Sequence, residues 1–95
     1  MAKYKIAHIR EQGQDMIIVP LDSSFNLKSQ HDQNEVMDAL QAAATSAGLA
    51  GHVVLIWKNS NTVRFMAPPQ WHPFFKSPGI YQLVMSNLNK ELTIY

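Results

Sequence analysis

The chain contains no cysteine. That absence excludes disulfides, thiolate nucleophiles and cysteine-ligated zinc outright. Charge is scarce as well: charged residues make up 16% of the 95-residue chain, and the formal net charge is +1. The eight basic residues (Lys3, Lys5, Arg10, Lys28, Lys58, Arg64, Lys76, Lys90) are scattered and form no run. The electrostatic footprint of a nucleic-acid binder is therefore missing, and no nucleic-acid partner is expected. Long apolar runs are absent too. The longest, Val53–Trp57, is far too short to span a bilayer. The opening M-A-K-Y-K-I-A-H carries no apolar signal segment, so no membrane association is expected and the expected location is the cytoplasm. Glycines are few and isolated at Gly13, Gly48, Gly51 and Gly79, which excludes a phosphate-cradling G-x-G-x-x-G or P-loop.

What remains is apolar. Hydrophobic residues make up 46% of the chain, unlike a disordered polypeptide. The length fits a single α+β domain over residues 1–95 with a small core. Low charge beside high apolar content leaves less material to cover the surface, which favours a subunit interface and a homodimer.

Strand and helix periods follow one another clearly. Lys3–Arg10 alternates and Met16–Val19 is a short β-branched run, which predicts a hairpin with a loop of about four or five residues. Pro20 ends the second strand. Asp22–His31 reads as a polar connection pinned by Phe25 and Leu27. Asp32 with Glu35 forms an Asp version of a capping box, and Val36, Met37, Leu40, Ala43, Ala44 and Ala47 follow at helical spacing up to Gly48. His52–Lys58 is apolar on both faces, so it should be a central strand covered on both sides. After the Asn59-Ser60-Asn61 turn, Thr62–Ala67 returns as a strand. Ser77-Pro78 reads as cap and first position of a second helix, with Ile80, Leu83, Val84 and Leu88 as its stripe and Asn89 as its C-cap. Glu91–Tyr95 is a final short strand. The order ββαββαβ predicts a mainly antiparallel sheet with two helices packed on one face.

Between the fourth strand and the second helix lies F-M-A-P-P-Q-W-H-P-F-F, Phe65–Phe75. The prolines disfavour a regular helix or central strand here, so the aromatics are expected to pack from a stiff loop. They either seal a core edge or line a contact surface or pocket. His72, held between Trp71 and Pro73, is the best single candidate for acid/base chemistry. The carboxylates (Glu11, Asp15, Asp22, Asp32, Glu35, Asp38, Glu91) are all distant from it in sequence. The simpler expectation is that its ring nitrogen bonds a backbone carbonyl and locks the loop. His8, His31, His52 and His72 show no i,i+2 or i,i+4 pairing, and no metal site is expected. Asp22-Ser23-Ser24 and His31-Asp32 contain triad residue types without a nucleophile elbow, so turn and capping roles are expected. No catalytic residue and no cofactor are assigned.

Trp57 and Trp71 flank the second hairpin, and Trp71 is expected to fold back toward Trp57 into a shared cluster. The candidate ligand- or partner-binding residues are Trp57, Arg64, Phe65, Trp71, His72, Phe74 and Phe75. The reading that follows is a non-enzymatic, self-associating protein-interaction module that uses the sheet or the Trp71–Phe75 loop for contact. The alternative is a small apolar ligand bound beneath that loop, or a small enzyme there, with Arg64 or His72 as polar anchor.

Overall fold

The computed structural model describes residues 2–11 and 13–94. Alternation in the strands divides the apolar residues between the two faces of one sheet. In the third strand, Val53, Leu55 and Trp57 turn one way and Val54 and Ile56 the other, and all five are buried. Such a strand needs a cover on both sides, and it has one.

The strands are β1 (Ala2–Glu11), β2 (Gln14–Pro20), β3 (His52–Asn59), β4 (Thr62–Met66) and β5 (Lys90–Ile94). They form a five-stranded mixed sheet in the order β4-β3-β2-β1-β5. β1 pairs antiparallel with β2 and β5, and β3 with β4, whereas β2 and β3 run parallel. The helices are α1 (Gln30–Ser46), the single-turn α2 (His72–Phe75) and α3 (Ile80–Ser86). The α+β class, the strand order along the chain and the mainly antiparallel character agree with the sequence.

The helices, however, do not share a face. α1 covers the face carrying Ile6, Ile17, Val19 and Val53. α2 and α3 cover the opposite face, carrying Ala7, Met16, Ile18 and Val54. The parallel β2–β3 pair explains the first cover, because parallel neighbours need a long crossover and α1 supplies it. The residues after β4 then close the other side.

Local differences have local causes. The β1–β2 ladder continues to Glu11 opposite Gln14, so the hairpin is tighter than a four- or five-residue loop. The α1 cap is Ser29, whose hydroxyl accepts the Asp32 N–H at 3.1 Å. Asp32 therefore sits inside the first turn, where a carboxylate favours the helix dipole, and the helix starts earlier than its apolar stripe. Phe25 is buried, but Leu27 is 86% exposed and pins nothing. Gly79, with φ +77°, caps α3, and the Ser77 hydroxyl donates to the Pro73 carbonyl at 3.1 Å instead. Asn87 is the C-cap of α3. Asn89 instead stitches onto β1, donating its side-chain N–H to the His8 carbonyl and accepting the His8 N–H. Tyr95, the expected end of the last strand, lies outside the described residues.

The Phe65–Phe75 stretch contains more helix than its prolines imply. A 3₁₀ turn (Pro69–Trp71) leads directly into α2, with proline in the first turn of each. Proline is accepted there because the first helical N–H groups have no intrahelical partner to lose.

Candidate functional site

The aromatic segment is assembled by β4, which supplies Phe65, and by the two short helical turns that follow. Its largest members point into the sheet. Phe75 is 1% exposed and Trp71 is 8% exposed, both packed with Met16, Ile18, Val54, Ile56, Ile80 and Val84. Phe65, Phe74 and His72 are half-buried around them. Phe65 lies with its ring centroid 5.6 Å from Phe75 and 5.1 Å from the His72 ring. Phe74 meets Phe75 edge-on at 5.1 Å, and the His52 ring meets Trp71 edge-on at 5.9 Å. Edge-to-face packing of this kind matches the ring quadrupoles and makes the segment a lid on the second half of the core.

The His72 Nε2 atom lies 3.0 Å from the Ala67 carbonyl oxygen. A carbonyl can only accept, so this nitrogen carries the proton and ties α2 back to the end of β4. No carboxylate stands among the hydrogen-bond partners of the ring among the described residues. His72→Gln keeps a donor for that carbonyl and removes the imidazole ring. It is expected to change unfolding stability by no more than about 1 kcal/mol, measured by urea denaturation. A folded variant that had lost association or binding would instead assign His72 a direct contact role.

The two tryptophans do not meet. Alternation along β3 turns Trp57 to the α1 face, where its indole N–H donates to Asn26 Oδ1 at 3.2 Å and its ring meets Phe25 edge-on at 4.8 Å. Trp71 lies across the sheet. Arg64 stands opposite Trp57 on β4, and its neighbour Phe65 stands opposite Ile56. Arg64 thus lies on the α1 face, away from His72, and the sheet separates it from the aromatic lid. The seven candidate residues therefore divide: Phe65, Trp71, His72, Phe74 and Phe75 come together, and Trp57 and Arg64 belong to the other face.

The remaining chemical candidates are spent locally. Ser23 Oγ donates to Asp22 Oδ1 at 3.5 Å, and His31 Nε2 lies 3.0 Å from Glu35 Oε1 on the exposed face of α1. His8 Nε2 and His52 Nδ1 bond the carbonyls of Ala50 and Val53. Among the described residues, no group of three or more His, Asp or Glu side chains is placed to hold a metal ion. No helix among them is long and apolar enough to cross a membrane.

Two surface features extend beyond the residues singled out from sequence. A cleft of about 350 Å³ opens beside the lid, lined by Glu11, Gln14, Met16, Gln70, Trp71, Pro73 and Phe74. His72 is not part of its wall. A groove of about 500 Å³ runs between β5 and α1, with Ala39, Ala42, Ala43, Ser46 and Ala47 along its helical wall. β5 ends the sheet on that side, so among the described residues its outer edge has no strand neighbour. Ala43 and Ala47 belong to the helical stripe read from sequence, whereas Ala39 and Ala42 do not. Their position beside an open strand edge depends on strand order, which periodicity does not encode. Comparison with protein-family models, curated proteins and solved structures returned no match.

Proposed function

We propose that this chain is a non-enzymatic, cytoplasmic interaction module that self-associates. The observation that supports this best is the open edge strand β5 running beside the small-residue stretch of α1 from Ala39 to Ala47. An unpaired edge offers backbone donors and acceptors to another strand. Small residues beside it let a second backbone approach closely. The low charge of the chain, 16% of residues, agrees with a surface that is partly covered in the working state. The aromatic segment serves this module as a core lid and keeps the sheet rigid behind its edge.

A second reading rests on the cleft beside Trp71 and Phe74, which joins an apolar wall to the Glu11 carboxylate and the Gln14 and Gln70 amides. That combination suits a small apolar ligand with one polar end.

Sedimentation across micromolar concentrations tests the first reading. A concentration-dependent dimer is the expected result. A chain that stays monomeric throughout would remove self-association. A ligand-dependent rise in melting temperature of such a monomer would transfer the function to the cleft.

A further inference from the structure

We infer that the partner at the β5 edge is a second copy of this chain, paired β5 to β5 antiparallel about a two-fold axis at Leu92. This rests on the self-association proposed above and identifies its surface. The backbone shows which groups are free. His8 N–H donates to the Asn89 side chain, and Asn89 N–H donates to the Ile6 carbonyl. The even-numbered residues of β1 therefore turn their backbone groups toward β5. Tyr4 stands opposite Leu92, so Leu92 turns its own groups inward. Glu91 and Thr93 then turn theirs to the open edge, because ladder bonds alternate along an antiparallel strand.

Charge narrows the register. A two-fold axis perpendicular to the sheet preserves its faces, so only residues of equal parity can pair. Centring on Glu91 would set two carboxylates directly opposite each other, which is unfavourable. Centring on Leu92 sets Glu91 opposite Thr93 of the second copy and Lys90 opposite Ile94, and no like charges meet. Each Glu91 also keeps Lys5 as its neighbour on β1.

The other edge of the sheet suits a second copy less well. The edge strand β4 carries Arg64 at its centre, and a register centred there would set two guanidinium groups directly opposite each other. The α1 wall beside β5 is uncharged over Ala39, Ala42, Ala43, Ser46 and Ala47. A stable dimer buries about 800 Å² per partner, roughly one-seventh of the 5784 Å² surface of the chain. A strand of five residues is too small for this alone. The two α1 walls meet across the axis on the same face of the joined sheet and supply the remainder. The interface is isologous and closes at two copies.

The chain has no cysteine, so introduced thiols report without background. In the Leu92-centred register, Glu91→Cys and Thr93→Cys variants face each other with Cα atoms about 5.5 Å apart, within disulfide reach. Identical variants are offset by two residues along the strand, about 8–9 Å apart and beyond that reach. Mild oxidation of an equimolar mixture is expected to give a mixed disulfide dimer by mass, and either variant alone is expected to give little. Thr93→Pro removes one outward N–H from the edge strand and is expected to weaken dimerisation by at least about tenfold. Ala42→Lys, on the exposed helix wall, should do the same through charge repulsion and serves if the proline variant fails to fold. A parent chain that dimerises while the mixture does not cross-link and Ala42→Lys leaves the dimer intact would overturn this interface and leave self-association standing. A strictly monomeric parent would overturn both, and would leave the β5 edge to a strand from a different protein.

Discussion

Trp71→Ala is expected to destabilise the fold by about 3–5 kcal/mol, the range for truncating a buried aromatic. Trp71 is 8% exposed and packs with Met16, Ile18 and Val54 across the face opposite α1. Its loss opens a cavity at the centre of the lid and removes the edge contact with His52. Rigid strands on one side and two prolines flanking the turn on the other leave little room for collapse. The total stability of a domain is only about 5–15 kcal/mol, so the variant should sit close to its unfolding transition at room temperature. Urea denaturation at low temperature measures the change. Trp71→Phe should recover much of the loss, because it refills most of the volume. Sedimentation of the folded fraction should show association unchanged, since Trp71 is remote from β5. The reverse pattern, a stable monomer that no longer associates, would make the aromatic segment the contact surface and refute its role as a lid.

Gly51→Ala is expected to be comparably damaging for a different reason. Gly51 has φ +123°, a conformation that side chains rarely adopt, and a Cβ built there would lie 2.5 Å from the Asp15 carbonyl oxygen. That oxygen belongs to β2, which is held by β1 on one side and β3 on the other. Neither backbone can yield without breaking ladder bonds. Strained backbone alone costs about 1–3 kcal/mol, and the contact adds to it, so a loss of about 3 kcal/mol or more is expected. Gly13 is the control. It has φ +76° with open space where a Cβ would stand, and Gly13→Ala should cost only about 1–2 kcal/mol. The two variants differ in the neighbour that a methyl group meets, and thermal denaturation of both separates strain from collision. Equal costs would mean that β2 and β3 shift freely at Gly51.

The identity and order of nearly all the elements are written in local periodicity. The alternation in Lys3–Arg10 and Thr62–Ala67, the two-faced apolar run from Val53 to Trp57 and the helical stripe around Leu40 each carry a period that backbone geometry imposes locally. Those periods predicted a central β3 with both faces covered. Gly48, which has φ +76°, likewise sits at the helix end that its lack of a Cβ allows.

The aromatic segment was legible as special, and its five candidate residues come together, whereas the other two, Trp57 and Arg64, lie on the opposite face. Which face each residue takes was less accessible. Trp57 and Trp71 were expected to pack together and lie across the sheet from each other, and Arg64 lies on the α1 face while its neighbour Phe65 lies on the other. These outcomes follow from side-chain parity relative to neighbouring strands, a relation set by register. The caps misled for a related reason: Ser29 and Gly79 compete with Asp32 and Ser77 on nearly equal local terms, and packing of the helix on the sheet selects between them. The β5 edge and its alanine wall lay beyond local reading altogether. The crossover that makes β2 and β3 parallel, and the pairing of β5 with β1, join residues distant in the chain. The free energy that selects those pairings comes from burying both sheet faces together, so the strand that remains open is set by long-range packing and not by any local period.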